Sequence, residues 1–145
     1  MNIVTRARYL AHLAHAGQVD KAGRPYIEHV ARVAAAVSDD PEAEAVAWLH
    51  DVLEDSLETM IDFRWFPSRV LGAVRLLTRD SRKSGDWYYF WIAASPLALR
   101  VKLADIADNA DESRLTLLDE KTAARLRRKY AKALASLQPE ERDDG

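Results

Sequence analysis

The chain contains no cysteine, which excludes disulfides, thiolate metal sites and cysteine nucleophiles, and leaves any metal to His, Asp or Glu. Neither sign of charge is in excess. There are 21 basic and 23 acidic residues, a formal net charge of −2, so no global basic field is available to hold DNA or RNA. Contact with phosphate must therefore be local. No stretch approaches the ~20 apolar residues of a membrane span, and no apolar N-terminal run leads to a small-residue cleavage site. The expectation is a cytoplasmic protein with no membrane partner. Glycine-rich phosphate loops, a GxSxG elbow, internal repeats and convincing strands are missing as well. What is present is enough for one helical domain: 145 residues, 48% apolar and 30% charged, ordinary for a globular chain with a real core.

Helical periodicity recurs from end to end. Ile3, Ala7, Leu10, Ala11 and Ala14 mark a first helix to about Ala16, on which His12 and His15 read as surface or hydrogen-bonded histidines. Gly17 stops it, and Gln18 to Pro25 has the glycine, proline and aspartate of a loop. Lys21 and Arg24 in that loop are either solvated or charge partners for an anionic substrate. Tyr26 to Val37 is a second helix with Ile27, Val30, Val33, Ala34 and Val37 on its apolar stripe and His29 near its start. Asp40-Pro41 launches a third helix, expected to run to about Asp55. A short segment near Thr59 to Arg64 precedes a fourth helix through Val70, Leu71, Val74 and Leu77, and Arg79 to Asp86 reads as a polar loop. The aromatic run Trp87 to Ala94 suits the core, helix packing or a second copy of the chain, which leaves a homo-oligomer open. Ser95-Pro96 restarts a helix whose Leu97, Leu99, Val101, Leu103 and Ala104 predict burial nearly all round. Leu118 to Leu137 is a packing helix with a solvated basic face. The reading is an all-α bundle over residues 1–138 with a short charged tail, 139–145.

One stretch, Ala47-Trp48-Leu49-His50-Asp51-Val52-Leu53-Glu54-Asp55, sets a histidine and three acids into an otherwise apolar segment. On a continuous helix His50 and Glu54 share a face, and Asp51 and Asp55 repeat the arrangement one step around. Buried carboxylates need a cation, a donor or a proton, and a metal ion would serve the whole group. Two acids at a helix C-terminus also oppose the helix dipole, which again suggests a cation nearby. Asp105, after Val101-Lys102-Leu103-Ala104, has the same need, and Asn109 lies one turn later on its face.

Together His29, His50-Asp51 and Asp105 follow the H...HD...D pattern of the HD-domain metal-dependent phosphohydrolases. The segments GQVDKAGRPYIEHV, AVAWLHDVLEDS and RVKLADIADNADESRL resemble, in order and spacing, the hydrolase domain of RelA/SpoT-type (p)ppGpp enzymes and their small stand-alone relatives. The resemblance covers roughly residues 10 to 115. It implies a single HD-domain helical bundle in which His29, His50, Asp51 and Asp105 bind one divalent metal, commonly manganese (Mn2+), that activates a water. It gives Glu54 and Asp55 the role of orienting or deprotonating that water, and places Lys21, Tyr26 and Asn109 on a small-molecule nucleotide. At Asp20 these hydrolases carry an arginine that packs on guanine. An acid cannot take that role, so guanine stacking would require Arg24 to reach over.

The leading expectation is hydrolysis of the 3′-pyrophosphate of a ppGpp-type nucleotide. The alternatives are an HD-type 5′-nucleotidase that releases a monophosphate, a regulatory module that binds nucleotide and metal without turnover, and a plain helical bundle whose acids are surface ion pairs.

Overall fold

The computed structural model describes residues 2–55, 63–80, 82 and 84–138, with the backbone alone for 54, 55 and 63. Its α-helices are α1 (Ile3–Ala14), α2 (Ile27–Ala36), α3 (Pro41–Leu49), α4 (Ser68–Leu77), α5 (Gly85–Ala94), α6 (Pro96–Asn109), α7 (Glu112–Leu115) and α8 (Glu120–Leu137). Two 3-10 turns, Val52–Asp55 and Phe63–Trp65, stand between α3 and α4. An isolated β-bridge joins Val19 and Pro25, and no strand longer than a bridge occurs among the described residues. The fold is all-α, as the periodicity predicts. No helix among the described residues is long and apolar enough to cross a membrane.

The helix starts follow the chemistry of their first residues. Asp40 accepts a hydrogen bond from the Glu42 N–H at 3.0 Å with Pro41 at the first helical position of α3, and Ser95 accepts from the Ala98 N–H at 3.2 Å ahead of α6. Each cap satisfies a donor that the helix itself leaves unpaired. Six of the nine residues of α3, Ala43 and Ala45 to Leu49, are buried. Its small side chains let neighbours approach closely, and α1, α2, α4 and α6 pack around it. The second central helix, α6, touches α2, α3, α4, α5 and α8. Even so Leu103 stays 38% exposed, so α6 is not buried nearly all round as the sequence predicts.

A second correction bears on the site. The sequence predicts a third helix to Asp55, but α3 ends at Leu49 and the chain tightens into the 3-10 turn Val52–Asp55. The Ala47 carbonyl, which a continuing α-helix would offer to Asp51, accepts the His50 N–H at 3.5 Å and the His50 Nδ1–H at 2.5 Å. With three residues per turn in the 3-10 segment, the expected stacking of Glu54 over His50 on one α-helical face does not apply.

The aromatic run folds as α5 and is divided by the helical period. Tyr88 and Ile92 are buried, while Trp87, Phe90 and Trp91 stay 50%, 63% and 42% exposed. The final helix begins at Glu120, two residues later than expected, because Asp119 caps it by accepting from the Thr122 N–H at 2.8 Å. Most of the segment near Thr59 to Arg64 and all of the tail from 139 lie outside the described residues.

Candidate metal centre

Three segments distant in sequence meet where α2 begins, α3 ends and α6 closes. His29 stands in the first turn of α2, His50 caps α3 with Asp51 after it, and Asp105 lies one turn before the end of α6. The His29 Nε2 is 2.9 Å from Asp105 Oδ1, and the His50 Nε2 is 3.3 Å from the same oxygen and 3.1 Å from Asp51 Oδ2. Ligand atoms of His29, His50 and Asp51 all lie within 4.8 Å of one another. The structure thus brings together all four residues of the H...HD...D pattern.

Surrounding hydrogen bonds aim these groups. Because a carbonyl only accepts, the bond from His50 to Ala47 places the proton on Nδ1 and turns Nε2 toward the carboxylates. Tyr26 donates its hydroxyl to Asp51 Oδ2. Asp105 accepts from Lys102 Nζ at 3.1 Å on Oδ2 and from Asn109 Nδ2 at 3.2 Å on Oδ1. The His29 Nδ1 faces Asp108 Oδ2 at 2.6 Å.

His29, His50 and Asp105 are buried, and burial works against charge on each of them. Attraction within the cluster wins. Burial pulls the His50 imidazole down, yet Asp51 and Asp105 beside it raise its pKa well above the usual histidine value. For His29, too, the pull of burial is outweighed by hydrogen bonds to Asp105 and Asp108, and its pKa is raised. Burial pushes Asp51 up, but His50 and the Tyr26 hydroxyl bring it down to about 2. Asp105 is held well below the ordinary carboxylate range in spite of burial, by His29, His50 and Lys102. The residues fit a divalent cation on two counts. The His50 Nε2 is buried without a well-directed hydrogen bond from any described residue, and imidazole nitrogens combined with carboxylate oxygens suit a borderline or hard metal ion. Glu54 and Asp55 follow Asp51 in the 3-10 turn; their side chains lie outside what the structure describes.

A pocket of about 390 Å³ opens beside the cluster, sharing His29 and Tyr26 with it. Lys21 and Asn109 stand in its wall, whereas Arg24 is not among its described lining residues. The Arg24 guanidinium donates to Glu28 Oε1 at 2.6 Å in an exposed pair. Asp20 accepts from the N–H groups of Ala22 and Arg24, each at 2.9 Å, so its carboxylate builds the loop turn, helped by Gly23 at φ 81. The remaining histidines are hydrogen-bonded, as read from the sequence: His15 Nδ1 lies 2.8 Å from Gln18 Oε1, and His12 Nδ1 lies 2.9 Å from the Arg8 carbonyl.

Several residues of this wall carry no local signature in the sequence. Arg32 and Arg114 line it while held on Asp108 Oδ1, each at 2.8 Å. Lys129 and Tyr130 come from α8, which reads as a packing helix with a solvated basic face. The pKa of Lys129 is lowered, first by burial and then by the cations Lys21, Arg79, Lys102 and Arg125. One signal was legible. Asp108 is an acid in the last turn of α6, where the helix dipole disfavours it.

No family model matches the chain. Among solved structures, a metazoan ortholog of SpoT, described as hydrolysing ppGpp and playing a role in starvation responses, is 25% identical and superposes with a TM-score of 0.75. The match covers 95% of this chain and 86% of that one. In fold, over nearly the whole chain, this protein resembles the HD-type hydrolase domain of SpoT.

Proposed function

We propose that residues 1–138 form a metal-dependent phosphohydrolase acting on a nucleotide, most like a ppGpp 3′-pyrophosphohydrolase. The observation that carries this reading is adjacency. His29 belongs both to the His/Asp cluster and to the wall of a pocket that also carries Lys21, Arg32, Arg114 and Lys129. A phosphorylated ligand drawn to those cations lies against the cluster. The likeness to a ppGpp-hydrolysing ortholog of SpoT supports the same class of chemistry.

His29, His50, Asp51 and Asp105 would hold one divalent ion, Mn2+ in this proposal. Such an ion supplies Lewis acidity toward a phosphoryl oxygen and lowers the pKa of water. The chain's own residues do the rest. Tyr26 fixes the Asp51 carboxylate through its hydroxyl, and Lys21 and Asn109 hold the nucleotide's phosphate and nucleoside. Glu54 and Asp55 would orient or deprotonate the attacking water. Leu118, Leu126 and the Tyr130 ring give the pocket an apolar wall for a base.

One observation favours a second reading. Asp20 is committed to the loop turn and Arg24 to Glu28, so neither offers a guanidinium to a guanine unless Arg24 leaves its partner. A 5′-nucleotidase that releases a monophosphate has no need of one. Product analysis separates the two, using manganese-loaded protein with ppGpp, GTP and deoxynucleoside monophosphates, and Asp51→Asn as control. Pyrophosphate from ppGpp alone supports the leading reading. Orthophosphate from the monophosphates moves the protein to the nucleotidases, and metal binding without turnover on any of them overturns both.

A further inference from the structure

Asp108 is not a residue of the H...HD...D pattern, yet it sits behind His29, on the ring nitrogen turned away from Asp105, in a costly position. It lies in the last turn of α6, at the negative pole of the helix dipole, with its side chain only 11% exposed. Three residues from two other elements converge on it. The His29 Nδ1 lies 2.6 Å from Oδ2, the Arg32 Nε donates to Oδ1 at 2.8 Å and its Nη2 to Oδ2 at 3.2 Å, and Arg114 Nη2 lies 2.8 Å from Oδ1. Arg114 also donates to the Asp108 backbone carbonyl.

We infer that Asp108 is a positioning residue for the metal site, one that locks His29 in the Nδ1–H tautomer and presents its Nε2 to the cation. The inference rests on the reading of His29 as a metal ligand. A carboxylate accepts only, so the proton on the shared hydrogen bond belongs to His29 Nδ1. The ring can then ligate only through Nε2, the atom facing Asp105. For His50 the Ala47 carbonyl does the same work, and a backbone acceptor comes with the fold. At His29, in the first turn of α2, the corresponding Tyr26 carbonyl accepts the His29 and Val30 N–H groups, and the acceptor for the ring is the Asp108 side chain. Arg32 and Arg114 hold that acceptor rigid and offset its charge against the helix dipole. A carboxylate behind a metal-bound imidazole fixes ring orientation and raises ligand basicity.

The test compares wild type, Asp108→Ala and Asp108→Asn as full chains. Mn2+ affinity is measured by calorimetry, and the His29 Nδ1–H proton of the zinc-loaded protein by NMR. In wild type that proton should be protected and visible. Asp108→Ala should lose it and bind Mn2+ about 10- to 100-fold more weakly. Asp108→Asn keeps an acceptor oxygen and should restore the resonance and most of the affinity; it also serves if the alanine variant does not fold. Unchanged Mn2+ affinity and an unchanged His29 resonance in both variants would overturn the inference while leaving the metal site standing. Wild type that binds neither ion would overturn the metal site on which the inference rests.

Discussion

Replacing Lys102 with Met probes how the centre balances its charge. The Lys102 Nζ lies 3.1 Å from Asp105 Oδ2, with side chains 16% and 9% exposed, and 5.5 Å from the centre of the Tyr88 ring. At an effective dielectric of about 20 such a pair attracts by about 5 kcal/mol gross, against several kcal/mol of desolvation on each ion. Met keeps the aliphatic stem beside Tyr88 and deletes the charge. His29, His50 and Asn109 still face Asp105, so the metal-free protein should lose about 1–3 kcal/mol, less than when a buried charge is left with no partner. With a divalent ion present, the carboxylate has another positive neighbour and the ammonium is a like charge close by. The same substitution should then cost less, and linkage turns the difference into tighter metal binding, about fivefold for each 1 kcal/mol. Urea unfolding in chelator and in saturating Mn2+, together with metal titration, reads both quantities. Equal losses in the two conditions, or weaker binding by the variant, would refute this charge balance.

Other perturbations test the fold and the pocket. Leu49→Ala, at a fully buried position where α3 ends, should destabilise the protein by about 2–5 kcal/mol in urea unfolding. Asp40→Ala removes the cap of α3 and should cost about 1 kcal/mol in the same assay. Lys21→Ala should raise KM for the nucleotide, whereas Arg24→Ala, losing an exposed pair with Glu28, should leave KM within about twofold and stability within about 1 kcal/mol; equal effects on KM would return Arg24 to the pocket. The pKa values of His29 and His50 are raised in the metal-free fold. Stability from their charged forms is therefore complete below the ordinary histidine value and is lost as pH climbs through the raised values. A metal needs neutral imidazole, so Mn2+ uptake near pH 7 should release protons and affinity should rise with pH. Calorimetry in buffers of different ionisation enthalpy counts those protons, and no release would contradict the assigned protonation.

The sequence was most informative where chemistry and packing conflict. His50, Asp51 and Asp105 stand out because apolar surroundings tolerate such groups only with partners, and the structure supplies them within one cluster. The starts of α3 and α6 are legible because Asp40-Pro41 and Ser95-Pro96 act through contacts a few residues long. The end of α3 is not legible, because no glycine or proline marks it; His50 takes the Ala47 carbonyl with its own ring, an event that depends on where the ring is drawn by residues far along the chain. Asp108 shows the same limit. Its partners Arg32 and His29 lie 76 and 79 residues away, and only their meeting makes the acid more than an unfavourable helix end. Lys129 and Tyr130 belong to a helix whose basic residues look solvated until the pocket is closed against them.

The central claim is that His29, His50, Asp51 and Asp105 bind a single divalent ion, and equilibrium dialysis against Mn2+ tests it most directly. The account predicts one ion per chain for the wild type and none retained by His50→Ala or Asp105→Ala, with folding verified by circular dichroism. Folded variants that retain the wild-type stoichiometry would contradict it.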